Sequence, residues 1–157
     1  MSDESSLERI TGPVLVSACL LGIPCRYDGS SKACSLMART KSIIPITVCP
    51  EMLGGLKTPR PSASFAGGDG RLVLAGRASV LNTAGESMTD AFLLGAGRCC
   101  SIASAAGARH AILKEGSPSC GTHRVWVDGE IREGLGITAA MLAEQGIILW
   151  NEDGLRL

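Results

Sequence analysis

Val14-Leu15-Val16-Ser17-Ala18-Cys19 is the stretch on which the fold turns. Its apolar run is too short for a helix, is β-branched at two of three positions, and suits a strand buried on both faces. The run ends at a cysteine, and the pattern recurs. Ile43 to Val48 ends at Cys49-Pro50, and Ala111-Ile112-Leu113-Lys114 ends at Ser117-Pro118-Ser119-Cys120. Both of the first two runs read as buried strands. Ahead of the third, from about Thr89 to Ala108, small and apolar residues recur with helical spacing. This alternation predicts a single α/β domain, Rossmann-like, with a mainly parallel sheet and helices on both faces. In open sheets of that kind ligands sit beyond the carboxyl ends of the strands. Cys19, Cys49 and Cys120, far apart in sequence, are thereby expected at one edge.

The rest of the chain fills in around these strands. Leu72–Leu74 and Val80-Leu81 flank Gly76 and predict a hairpin, while Val125-Trp126-Val127 runs into the turn dipeptide Asp128-Gly129. A last helix is expected from Thr138, as N-cap, to Gln145, closed by Gly146 before the apolar run Ile147 to Trp150. No internal linker or repeat interrupts the sequence. One domain over residues 1–157 is expected, with residues 1–12 as an N-terminal tail.

Composition removes several functions. Lys and Arg number 15 and so do Asp and Glu, which gives no basic footprint for nucleic acid. Two Trp, two Phe and one Tyr supply almost no stacking platform, so extended nucleic acid is not an expected partner. The longest apolar stretch, Pro13 to Pro24, is broken by Ser17 and Gly22 and falls short of the roughly 20 residues a bilayer crossing needs. Met1–Ser6 is acidic and polar where a secretory signal is basic and then apolar, so a cytoplasmic protein away from membranes is expected. Seven cysteines is an odd count, and reducing cytosol disfavours a disulfide framework.

Metal binding, thiol chemistry and plain burial remain for those cysteines. Cys34, Cys99 and Cys100 fit burial, since free cysteine behaves as a small hydrophobe. Cys99 and Cys100 are adjacent on a helix-like segment, face different ways, and cannot readily share one ion. Cys19, Cys25, Cys49 and Cys120 each border a Gly- or Pro-containing loop at the expected functional edge. The paired spacings of a structural zinc site are absent. Three dispersed thiolates with no required fourth suit an iron–sulfur cluster that keeps one iron open. Glu51, two positions after Cys49, is a candidate general base, or a carboxylate at a helix start. Ser117, three before Cys120, is a candidate hydrogen-bonding group, or a turn residue. His110 reads as structural, and His123 as a neighbour of Cys120. Gly67-Gly68-Asp69-Gly70 matches neither a phosphate loop nor a dinucleotide fingerprint and reads as a turn. Arg60, stiffened between Pro59 and Pro61, either faces an anion or is a solvated loop charge.

Longer motifs add a resemblance. Val16-Ser17-Ala18-Cys19-Leu20-Leu21-Gly22, Cys25-Arg26-Tyr27-Asp28-Gly29 and Cys49-Pro50-Glu51-Met52-Leu53-Gly54-Gly55-Leu56 stand in order, followed by Thr58-Pro59-Arg60-Pro61. Ala111-Ile112-Leu113-Lys114-Glu115-Gly116-Ser117-Pro118-Ser119-Cys120-Gly121 and Gly134-Leu135-Gly136-Ile137-Thr138-Ala139-Ala140 complete the set. Over residues 13–152 the chain resembles the family labelled domain of unknown function 523 (DUF523), which includes thiouracil desulfidases. The resemblance implies a [4Fe-4S] cluster with one open iron, held by Cys19, Cys49 and Cys120, with Glu51 and Ser117 as the catalytic side chains. It implies hydrolytic, non-redox desulfuration of a thiolated pyrimidine, a 2-thiouracil or 4-thiouracil derivative as base or nucleoside, to the oxo form with release of sulfide. Cys25 lies in a shared segment but stays outside the implied ligand set. The chain departs from the family at Pro61-Ser62-Ala63-Ser64, where members tend to carry Pro-Pro-Ala-Glu. Two alternatives from other classes stand beside this reading: a non-catalytic iron–sulfur or sulfur-carrier protein, and a metal-free enzyme with a cysteine nucleophile.

Overall fold

The computed structural model describes residues 7–157. From the N-terminus the elements are β1 (Gly12–Ser17), a short 3-10 turn (Ala18–Leu21), α1 (Leu36–Arg39), β2 (Ile43–Val48), α2 (Pro50–Leu53) and β3 (Ala63–Ala66). Then follow α3 (Gly70–Leu74), β4 (Ser79–Asn82), α4 (Thr89–Ala106), β5 (His110–Leu113), β6 (Arg124–Val127), β7 (Glu130–Glu133), α5 (Ile137–Glu144) and β8 (Ile148–Asn151).

The first sheet runs β2-β1-β5-β8 and is parallel throughout. Val14, Leu15 and Val16 are fully buried because β1 is an inner strand packed on both faces. Side chains alternate across that sheet as its pleat requires. Leu15, Ala111, Leu113 and Leu149 meet Cys99, Cys100 and Ala103 of α4 and Ala139, Ala140 and Leu142 of α5. Val14, Val16, Ile112 and Trp150 meet Leu7, Ile10, Leu20 and Leu36 on the other face. Full burial of each Val, Leu or Ile side chain among these contributes about 1.5–3 kcal/mol relative to exposure. Register sets the edge: Ser17 pairs with Val48, Val16 with Ile112, and Leu113 with Asn151. The segments carrying Cys19, Cys49 and Cys120 therefore all leave from the carboxyl side. The expected α/β fold with a parallel sheet and helices on both faces is what forms.

Local departures have local causes. Ile43–Val48 is an edge strand rather than a buried one, with Ile44 exposed and Pro45 tolerated at the edge. Leu72–Leu74 lies in α3, not in a hairpin. Asp69 caps that helix, its carboxylate accepting from the backbone N–H of Arg71 at 3.1 Å and Leu72 at 3.3 Å. β4 instead pairs antiparallel with β3, inside a second, mixed sheet of order β4-β3-β6-β7. β6 and β7 form the hairpin heralded by Asp128-Gly129, both of which take positive φ, 50° and 83°. The last helix starts at Ile137 with Gly136, not Thr138, as its N-cap. A Cβ at Gly136 would run into the backbone of Ser119 and Cys120, so close packing requires glycine there.

Of the tail expected over residues 1–12, residues 1–6 lie outside the described residues, while Leu7 and Ile10 are buried in the core. Among the described residues no helix is long and apolar enough to cross a membrane.

Candidate active site

The carboxyl edge of the parallel sheet opens into a cavity of about 560 Å³ lined by Cys19, Cys25, Cys49, Glu51, Ser117 and Cys120 together with Arg60, Lys114 and Trp126. All five residues singled out as ligands or catalytic groups thus face one space, although they come from three chain segments. All seven cysteines are free thiols.

Each segment is shaped to present its thiol. Cys19 sits on the 3-10 turn directly after β1, where Gly22 closes the turn at φ 86°. Its carbonyl accepts from the N–H of Lys32 at 2.8 Å, which folds the following loop back over it. Burial pushes the Cys19 thiol up to about 11, with the cations Arg26 and Lys114 pulling the other way. Cys49 is the N-cap of α2, with Pro50 at the first helical position. That short helix lies hard against α4, because a Cβ at Gly95 would overlap the Pro50 carbonyl oxygen and one at Gly54 the Ala91 carbonyl. Cys120 ends a turn organised by Ser117, whose hydroxyl oxygen accepts from the N–H of Ser119 at 3.0 Å and of Cys120 at 3.2 Å. Burial raises the Cys120 thiol well above its ordinary range, against a hydrogen bond from Ser17.

Ser117 therefore is a turn residue and also lines the cavity, and accepting two bonds leaves its own O–H to donate. Among the described residues no three His, Cys, Asp or Glu side chains converge tightly enough for a single metal ion. Cys25 is buried beside Cys49, whose Sγ lies 3.8 Å from the Cys25 carbonyl oxygen. Burial and the neighbouring Cys49 push the Cys25 thiol up to about 12. Cys99 and Cys100 are buried within α4 against the sheet, and Cys34 is partly buried at the edge of the other core.

With this geometry, residues 14–154 match the model of the family described as 2-thiouracil desulfurase. The chain belongs to that family. It is 39% identical to the uncharacterized protein YbbK of Bacillus subtilis (strain 168), over 90% of this chain and 97% of that one. It also superimposes on a solved structure of the [4Fe-4S]-dependent thiouracil desulfidase TudS with a TM-score of 0.77 and 37% identity, covering 92% of this chain and 93% of that one.

Two features of this family member escaped the sequence reading. Arg60 faces an anion rather than solvent, but the anion is internal to the chain. Its Nε donates to Glu51 Oε2 at 2.9 Å, and its Nη2 donates to the same oxygen. Glu115 is the second. Its side chain is wholly buried, and one oxygen accepts from the N–H groups of Thr122 at 2.9 Å, His123 at 2.9 Å and Arg124 at 3.0 Å. The other oxygen accepts from Thr122 Oγ1 at 2.9 Å and Asn151 Nδ2 at 3.1 Å. Burial alone would raise this carboxyl, but the hydrogen bonds from Arg124, His123, Asn151 and Thr122 outweigh it and hold it down at about 2. Glu115 thereby ties the loop carrying Ser117 and Cys120 to the end of β8. A carboxylate just beyond the strand and before Gly-Ser-Pro is its only mark in the sequence.

The histidines serve structure. His110 Nδ1 accepts from the Trp150 indole at 3.1 Å, and His123 Nδ1 lies 3.1 Å from Glu115. Lys114 Nζ is paired with Glu152 at 2.8 Å and with the Glu115 carbonyl at 2.9 Å, so it is a strand-end clasp on the cavity wall.

Proposed function

We propose that this chain removes sulfur from thiolated pyrimidines by hydrolysis, with a [4Fe-4S] cluster held by Cys19, Cys49 and Cys120, Glu51 as general base and Ser117 as hydrogen-bond donor. The observation that carries this reading is the meeting of three unlinked thiols, from the segments that follow three separate strands, in one cavity that also presents Glu51 and Ser117. The donor set fits the cofactor. Thiolates are the ligands iron–sulfur clusters take, and thiols spread around a cavity suit a cage whose irons each need one ligand better than they suit a single ion. The similarity to a [4Fe-4S]-dependent thiouracil desulfidase supports both the cofactor and the substrate class.

When bound, such a cluster supplies an iron corner free of protein ligands, a soft Lewis acid for a thiocarbonyl sulfur. The protein's own groups do the rest. Glu51 takes a proton from the water that attacks the thiocarbonyl carbon. Ser117, whose lone pairs are engaged by Ser119 and Cys120, turns its O–H toward the heterocycle and orients it. A carbon–oxygen bond forms, the carbon–sulfur bond breaks, sulfur leaves as sulfide with the water protons, and no electrons are gained or lost. The substrate is a small molecule, as base or nucleoside, and the setting is cytoplasmic.

Anaerobic reconstitution with iron and sulfide tests the reading. The wild type is expected to bind about four irons and show broad visible absorption. It is also expected to release sulfide from 2-thiouracil or 4-thiouridine. Substituting Cys19, Cys49 or Cys120 singly by Ser should abolish the absorption. Glu51→Gln should keep the cluster and lose turnover. In oxygen-18 water the label should enter the product carbonyl. A loaded wild type that turns over no thiopyrimidine leaves the carrier reading in its place.

A further inference from the structure

Arg60 spends every nitrogen on the walls of the cavity. Nε and Nη2 converge on one oxygen of Glu51, Oε2. Nη1 donates to Thr58 Oγ1 at 2.8 Å and to the Lys57 carbonyl at 3.1 Å, and Nη2 also reaches the Cys25 carbonyl at 3.2 Å. Its backbone N–H donates to the Tyr27 carbonyl at 2.6 Å. The Arg60 side chain is 9% exposed and that of Glu51 17%, so the pair is largely shielded from water. A planar guanidinium can satisfy these divergent acceptors at once; a Lys ammonium, a point charge with three donors, cannot. Among the described residues Glu51 Oε1 has no hydrogen-bond partner.

From this geometry we infer that Arg60 is a positioning residue: it fixes the Glu51 carboxylate through Oε2 and leaves Oε1 as the oxygen that serves the water in the cavity. The inference rests on the role proposed for Glu51 and adds what aims it. The anchoring has its own supports, because the Arg60 backbone is held between Pro59 and Pro61 by the bond to Tyr27, and the guanidinium meets the Cys49 segment through Glu51 and through the Cys25 carbonyl, which the Cys49 thiol also approaches. Misplacement of a reacting group by about 1 Å costs on the order of 100-fold in rate. Loss of the fork is expected to act at that scale on turnover rather than on substrate affinity.

The experiment uses the full chain, reconstituted anaerobically, as wild type, R60Q, R60K, E51Q and the E51Q/R60Q double variant. Iron content and visible absorption of R60Q should match the wild type, with kcat for 2-thiouracil down about 100-fold and KM within about twofold. R60K should recover little, since it restores charge without the fork. In the E51Q background R60Q should cause no further loss, because both act through one group. A crystal structure of R60Q reads the same point without turnover, with the Glu51 carboxylate displaced from its wild-type position. Full rescue by R60K, a raised KM at unchanged kcat, an additive loss in the double variant, loss of iron in R60Q, or an unmoved Glu51 each overturns the inference. A loaded wild type without sulfide release instead refutes the role of Glu51, and the crystal structure still judges the clamp.

Discussion

Replacing Glu115 by Gln removes a buried charge that organises the loop bearing Ser117 and Cys120. The amide oxygen of Gln can still accept from the N–H groups of Thr122, His123 and Arg124. Its NH₂ then faces Thr122 Oγ1 and Asn151 Nδ2, both of which donate to the native carboxylate. Asn151 cannot simply flip, because its Oδ1 already accepts from the N–H of Asp153 and Leu155, each at 3.0 Å. The fold holds the Glu115 carboxyl at about 2 against an ordinary 4.5. At 1.36 kcal/mol per pH unit, ionised Glu115 contributes about 3 kcal/mol to stability at neutral pH. A folded-state value below the unfolded one means that this contribution is complete above about pH 4.5 and drains away as pH falls toward 2.

Urea unfolding of iron-free, thiol-reduced protein measures it, followed by fluorescence of the buried Trp150, whose strand neighbour is Asn151. At neutral pH the Glu115→Gln variant should lose about 3 kcal/mol, a midpoint shift of about 1.5 M urea at a slope near 2 kcal/mol/M. At pH 3 the gap between wild type and variant should be clearly smaller. A gap under about 1 kcal/mol at neutral pH, or one that does not change between pH 7 and pH 3, refutes the assignment of Glu115 as the charged anchor of that loop.

Three further substitutions probe the scaffold. Gly95→Ala places a methyl against the Pro50 carbonyl and should shift the turn that carries Cys49 and Glu51, costing about 1–3 kcal/mol and lowering the iron content after reconstitution; an unchanged iron content and melting temperature speak against that packing. Gly136→Ala does the same to Ser119 and Cys120 from the other side of the cavity, and iron analysis with a thermal melt reads it. Leu15→Ala empties the middle of β1 and should cost about 2–5 kcal/mol by urea unfolding, with no bond to any cavity group broken.

The parallel sheet was legible because Val14-Leu15-Val16 carries its signal in the run itself: a strand covered on both faces needs no alternation, and its end is marked by the cysteine. What the sequence concealed depends on partners far along the chain. Leu72-Val73-Leu74 is as apolar as a strand, and it is helical because Asp69 caps it and Gly70 tucks against Gly136. β3 offers only Phe65 as a large apolar residue among Ala and Ser, so it becomes visible only through its pairing with β4. Thr138 looks like a cap by residue type, yet the close approach of Ser119 and Cys120 hands that position to Gly136.

The site divides along the same line. Cys19 and Cys49 announce themselves, since each follows closely on a strand and parallel register carries those ends to one edge, while Cys120 reaches the same edge by the Ser117 turn beyond β5. The groups that position them do not. Arg60 was open to reading as an anion binder, and the anion is Glu51 of its own chain, nine residues earlier and across a turn. Glu115 looks from its neighbours like one more motif residue, and its seat is made by backbone N–H groups that have no letter in the sequence. Backbone donors and divergent Arg forks are set by tertiary geometry, so a family motif can name the reacting side chains long before it shows what holds them still. If R60Q and Glu115→Gln both leave the cluster and turnover untouched, then the cavity is aimed by its thiol loops alone and that division fails.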